Sequence, residues 1–324
     1  TGGAFRGSAA DINDLREVVG TVRTPTGEDA AAYWNVVEVD GVVESSLSVL
    51  SGGFAANAIN NLGEIVGQTY DASGNAVAVY WPTPASAAIE LPLLPGYDVS
   101  RPTSINNNGL ICGYMSVSGQ QEEQTNIAVV WRVTFSNGVP VIGDPVDLPG
   151  GSDGGFAAAV NDNDASGVAQ VVGAQHSTWT PLLWEVQSLP DGSLYVSPNP
   201  QVIDADVEAF ALGINNSGLI CGRAEFDAVV WSSGETSFLD RPRKGRNKVP
   251  RAWARDISDN GIIVGDAGEY YEPRACFWDG VTGSLTYLDD YLEPDSPQLG
   301  LNRAEAVNAF GDIVGDGWAC LLYT

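Results

Sequence analysis

Residues 56–67 read Ala56-Asn57-Ala58-Ile59-Asn60-Asn61-Leu62-Gly63-Glu64-Ile65-Val66-Gly67, and after a short gap the chain continues Ala76-Val77-Ala78-Val79-Tyr80-Trp81. Asn begins a turn and Gly takes a positive φ without steric cost, so Asn60-Asn61-Leu62-Gly63 joins two short apolar runs as a tight hairpin. The Val- and aromatic-rich run ending at Trp81 is a third strand.

The same signature, Ala-x-x-Ile-Asn-x-x-Gly-x-Ile-Val-Gly and then Ala-Val-x-Trp, recurs along the whole chain. Its Ile position is held by Ile12, Ile59, Ile105, Val160, Ile214, Ile257 and Val307, and its last Gly by Gly20, Gly67, Gly113, Gly173, Gly222, Gly265 and Gly315. Trp34, Trp81, Trp131, Trp184, Trp231 and Trp278 close the third run, with Leu322 in the last copy. Successive Ile positions stand 47, 46, 55, 54, 43 and 50 residues apart, the length of a four-stranded propeller blade. A fourth strand ends in leucine, as at Val146-Asp147-Leu148 and Thr286-Tyr287-Leu288.

These features predict an all-β chain, a seven-bladed β-propeller with about four short antiparallel strands per blade. It forms one domain over 1–324, with repeats near 1–49, 50–96, 97–149, 150–204, 205–240, 241–290 and 291–324. A small residue three places before the Ile, Ala in six copies and Pro102 in the third, suits crowding near a common axis and places the first strand innermost. The tryptophans are expected to wedge between blades. A solenoid would need atypical capping units, and the first copy is as regular as the middle ones.

At this point the chain resembles the bacterial extracellular HAF repeat proteins, whose units share the Ile-Asn-x-x-Gly-x-Ile-Val-Gly core and a following Ala-Phe-x-Trp-like strand. The histidine which that family places before the Ala is replaced here by Val77, Ile127, Asp227 and Arg274. The resemblance implies secretion and a propeller-like fold, and it implies no established reaction.

Forty-one Asp and Glu against fifteen Lys and Arg give a formal charge of −26, which opposes binding to nucleic acid and to anionic membranes. No apolar run reaches the roughly eighteen residues of a membrane span, so no membrane insertion is expected. The chain opens at Thr1 without Met, which reads as a mature extracellular or cell-surface form after removal of a signal peptide.

The ends break the pattern. After Gly315 the last copy supplies only Trp318 to Thr324 and lacks its fourth strand, leaving an edge that can template another chain. Phe5, Leu321 and Tyr323 are the terminal-strand residues that would close this blade from within or by docking on a copy.

No catalytic residue is assigned. The lone His176 beside Ser177, Thr178 and Trp179 reads as an ordinary loop residue. Cys112, Cys221, Cys276 and Cys320 sit at equivalent places on different blades and read as buried thiols. The turn Asn161 to Gly167 offers oxygens at alternate positions, so Asp162, Asp164 and Ser166 are candidate calcium ligands, against a plain lengthened hairpin. Arg241, Arg243, Lys244, Arg246, Lys248 and Arg251 gather six of the fifteen basic residues in one loop, a candidate interaction site.

The leading expectation is a non-catalytic extracellular structural or interaction protein whose partners are copies of itself. It would assemble head-to-tail into a filament or surface layer, basic loop to acidic surface, with strand addition at the incomplete last blade. The alternative is a carbohydrate- or ligand-binding propeller, with polysaccharide as partner. A glycosidase- or lyase-like enzyme built from paired carboxylates in the channel stands third. Calcium is the one cofactor considered.

Overall fold

A computed structural model describes residues 7–40, 42–120, 126–150, 154–204, 208–242, 250–269, 272–292 and 299–319. Six blades of four or five antiparallel strands stand in a propeller arrangement, each an up-and-down meander in chain order. The described residues contain no α-helix, and none is therefore long and apolar enough to cross a membrane. In the second blade the strands are Ala55–Ile59, Ile65–Tyr70, Ala76–Trp81 and Ile89–Glu90.

The described residues of the last repeat form two of the three expected strands, Leu299–Val307 and Ile313–Ala319, paired as one sheet. The third would fall beyond 319, outside the described residues. This sheet fills the gap between the sixth blade and the first: Arg16 Nε, on the first hairpin, lies 2.9 Å from Asp312, and Asn308 Nδ2 donates to Asn13 O at 3.2 Å.

The signature explains each turn. Asn60 Oδ1 accepts from Leu62 N and Glu64 N, both at 3.0 Å, while Gly63 at φ 76° donates back to Asn60 O. In the first hairpin Arg16 holds that left-handed place at φ 60°. The strain of a side chain there is offset by its contacts with Asp312 and Glu38.

The final Gly has a separate cause. A Cβ on Gly67 would collide with the carbonyl of Ala55, and the other six glycines meet the corresponding carbonyl of their own first strand. Beside this close approach each first strand carries a bulge, as between Ala56 and Ala58 or between Ala254 and Asp256, where one extra residue is left unpaired.

The core lies between blades rather than within them. Val19, Ala31 and Leu50 of the first blade pack with Ala56, Ile59 and Trp81 of the second. Clusters of this kind join every neighbouring pair, including the two-stranded sheet with the sixth blade and with the first. The small residue of the signature thus packs against the preceding blade as well as bordering the channel. Trp81, Trp131, Trp184, Trp231 and Trp278 are fully buried, as expected of wedges. Trp81, Trp131, Trp184 and Trp278 donate Nε1 to Ser51, Pro92, Pro149 and Asp240 carbonyls at 2.7–2.8 Å, tying each blade to the linker that enters it.

Candidate functional site

One end of the channel is closed down by the turns. Asn13, Asn60, Asn106, Asn161 and Asn215 each donate Nδ2 to the backbone carbonyl of the equivalent residue one repeat further on, at 2.9–3.4 Å. A second circle runs through the next residue, with Asp14 N donating to Asn61 Oδ1, Asn61 N to Asn107 Oδ1 and Asn107 N to Asp162 Oδ1. The cavity left there measures only about 160 Å³, and its oxygens are already engaged.

The other end is wide, with a cavity of about 720 Å³. Three places in each repeat surround it. The bulged residue two before the Ile contributes Asn57, Thr103, Ala158, Leu212 and Glu305, with Arg255 on an adjoining cavity. The residue four before the Ile contributes Arg101, Phe156 and Arg303, with Trp253 adjoining. Its cross-strand partner, just after the final Gly, contributes Thr21, Gln68, Tyr114 and Asp316. These places carry different residues in nearly every repeat, while the places between them stay constant.

Blades four to six carry an aromatic wall, of which Phe156 lines this cavity and Trp253 the adjoining one. Phe156 and Phe210 stack at 6.1 Å, Trp179 lies 5.0 Å from Phe210, and His176 packs between Phe156 at 5.3 Å and Trp179 at 5.0 Å. Trp179 is held at φ 51°, a left-handed conformation costly for a bulky side chain. The Arg223 guanidinium lies 4.5 Å from both the Phe210 and the Trp253 rings. Burial, and then the charge of Arg251, pull its pKa below the usual arginine value.

The wall continues as a charged patch, with Arg255 5.4 Å over the Trp253 ring. Arg255 pairs with Asp266 at 2.7 Å and with Glu305 at 3.5 Å. Burial chiefly holds the Glu305 pKa up; Arg255 opposes this and Asp316 adds to it. Deeper in the ring, Asp11 accepts from Ile12 N and from Ile59 N of the next blade, both at 2.8 Å. Burial pushes its pKa up to about 7, against those N–H donors and with help from Asp256. Asp256 accepts from Val307 N at 2.9 Å and is raised for the same first reason.

The residues singled out in the sequence fall elsewhere. Asp164 Oδ1 accepts from Ser166 N, Ser166 Oγ and Val168 N at 2.7–3.0 Å, the bonding of a lengthened hairpin turn. Asp162 turns to Asn107 and Asn216 in the second circle, so the three candidate calcium ligands are not brought together. Among the described residues no three acidic, His or Cys side chains gather as a metal site. Arg241 pairs with Asp227 at 2.7 Å, and Arg251 stands 5.1 Å over Phe226 beside the aromatic wall. Arg243, Lys244, Arg246 and Lys248 lie outside the described residues, as do Phe5, Leu321, Tyr323 and Cys320. Cys112, Cys221 and Cys276 are free and buried.

No family model and no curated protein matches the chain. Solved structures do resemble its fold. A puromycin hydrolase mutant in complex with PGG is 13% identical over 97% of this chain and 50% of its own, with a TM-score of 0.55. A puromycin-hydrolyzing peptidase of Mycobacterium tuberculosis is 13% identical over 88% of this chain and 52% of its own, at 0.51. The WD40 β-propeller domain of Doa1 is 13% identical over 97% and 91%, at 0.47. The chain spans about half the length of the first two, and at this identity the likeness is one of fold alone.

Proposed function

We propose that this chain is a non-catalytic interaction protein, a propeller of seven blades with the last incomplete, that holds a ligand in the wide mouth of its channel. One observation carries this reading: the side chains that vary between repeats converge on the 720 Å³ cavity, where the constant place between them contributes only the small residues Ala9, Ala56 and Pro102. Packing leaves these places free to vary, so the side chains they carry set the chemistry of the mouth and are where a ligand would be recognised. The HAF-like signature supports an exported, cell-surface setting. Ala158→Trp places an indole in the mouth and tests the reading. Glycans or peptides captured on arrays by the native chain should be lost by this variant, and capture indifferent to it overturns the reading. Turnover of a captured glycan overturns its non-catalytic part.

Self-assembly is the second reading, favoured by a different observation. The outer strand of the first blade, Val42–Val49, is exposed at every residue, with Val42, Val43, Leu47 and Val49 uncovered. An edge of this length and apolarity pairs readily with another chain. Charge of −26 opposes such contact until salt screens it. Light scattering at low and high salt tests the idea, and a strict monomer throughout ends it.

A further inference from the structure

We propose that the wall formed by Phe156, His176, Trp179, Phe210, Arg223 and Trp253 is a subsite for a carboxylated sugar ring, a uronate residue of an acidic polysaccharide. The inference rests on the reading of the wide mouth as a ligand site and names what that site takes.

The Arg223 guanidinium carbon lies 4.5 Å from the ring centres of both Phe210 and Trp253, so two aromatic rings of successive blades fix the group in place while its N–H donors stay available to a ligand. It makes no ion pair or hydrogen bond with any described residue. The nearest influential carboxylate is Glu208, whose charge is felt but which does not pair with it. A half-buried guanidinium without an anion is costly in a protein that carries 41 acidic residues and could have supplied one. The planar N–H fork fits a carboxylate with two parallel bonds. Arg251 stands close enough for its charge to act on the same guanidinium.

The rings decide what bears that carboxylate. Phe156, Trp179, Phe210 and Trp253 are half-buried and come from three successive blades, so together they make a broad apolar wall and not a slot for one side chain. The C–H face of a pyranose lies flat against such rings, and its ring-borne carboxylate projects in the ring plane towards a guanidinium edge. Trp179 is kept at φ 51° on the loop above this wall. Strain of that kind persists where a side chain must occupy one position.

The test is calorimetric titration of the full chain with oligogalacturonate, with its methyl ester, with a neutral oligosaccharide, with an acidic peptide and with inorganic phosphate. The acid form should bind at least tenfold tighter than its ester. Arg223→Gln should lose at least tenfold, Arg223→Lys should recover little because it lacks the fork, and Trp179→Ala should lose several-fold. The comparison of acid with ester needs no variant and holds if Arg223→Gln fails to fold. Equal binding of acid and ester, or binding untouched by Trp179→Ala, overturns the proposal, as does stronger binding of the peptide or of phosphate alone. If a neutral glycan or the peptide binds instead and Ala158→Trp abolishes it, the mouth survives as a ligand site and only the uronate is lost. If every ligand ignores Ala158→Trp, the mouth reading itself falls.

Discussion

Replacing Asn60 by Ala tests the claim that the circle of turn asparagines holds neighbouring blades together. The side chain is 4% exposed and makes four bonds. Oδ1 takes Leu62 N and Glu64 N at 3.0 Å, and Nδ2 gives to Glu64 Oε2 at 2.5 Å and to Asn106 O of the next blade at 3.0 Å. Each neutral bond contributes about 1 kcal/mol net and the one to a carboxylate about 2 kcal/mol, so the sum lost is about 5 kcal/mol. Water entering from the narrow mouth re-satisfies part of this, which brings the expected loss to about 3 kcal/mol. In a chain of this size that is a fall of about 4 °C in Tm, readable by calorimetry or by a urea midpoint shift. Asn61→Ala is the control. Asn61 is exposed, and its bonds to Asp14 N and Asp14 Oδ2 compete with water, so its loss should stay under about 1 kcal/mol. Asn60→Asp separates the two halves of the side chain. It keeps the acceptor for Leu62 and Glu64 N–H but sets a second carboxylate against Glu64, so its defect should shrink as the pH is lowered. Equal losses for Asn60→Ala and Asn61→Ala would refute the reasoning.

Three further outcomes follow from particular residues. The folded chain holds the Asp11 proton up to about pH 7, whereas an unfolded aspartate releases it near 3.8. The folded state therefore binds more protons between these values, and stability falls as the pH rises through that window, by up to about 4 kcal/mol; Asp11→Asn should flatten the Tm profile between pH 4 and 7. Gly67→Ala drives a Cβ into the Ala55 carbonyl and should cost about 3 kcal/mol by urea unfolding. Gly74→Ala, at φ 86° in open space, should cost only about 1 kcal/mol. Burial pushes the Cys112 thiol up to about 12, and Cys221 and Cys276 are raised by burial first as well. In a Cys320→Ser background a thiol reagent should therefore label nothing until the chain unfolds, when three thiols react; labelling of the native protein would contradict the buried placement.

The constant parts of the repeat were legible because each copy meets the same surroundings. Asn, Gly and Trp recur at the turn, the close approach and the inter-blade wedge, and one copy explains the others. The wide mouth was not legible for the opposite reason. Arg223 and Trp253 belong to successive repeats, and only the ring brings the guanidinium against the indole. His176 read as an ordinary loop residue because its contact with Phe156, at 5.3 Å, depends on the pairing of the strand before it with the first strand of the blade. Variation at fixed offsets from the Ile was the signal available, and it points to the mouth once the register is known. The extra residue in each first strand leaves no compositional mark, since Ala158, Leu212 and Glu305 occupy the same place.

That extra residue is what allows a repeated scaffold to carry an individual site. In an innermost strand the two sheet faces look at the neighbouring blades and the edge looks at the channel, so regular alternation would give every side chain to the interfaces. Ala56 does pack against the preceding blade, in the cluster with Leu50 and Ala31. Ala58, two residues later, should then share its side, yet it packs in the cluster with Ile105 and Trp131 of the following blade. The parity is reversed because Asn57 between them is left out of the pairing with the second strand. It is turned edgewise, and it lines the wide cavity. The bulge therefore serves two needs with one residue. It presents opposite small residues to the two neighbours, which lets the blades close up, and it frees one side chain per repeat to face the channel. Asn57 and Thr103 use that place to donate to the Pro102 and Ala157 carbonyls of the next blade at 2.7 and 2.8 Å, and Arg255 reaches Glu305 at 3.5 Å, so polar side chains are accommodated at the channel edge of an otherwise apolar interface.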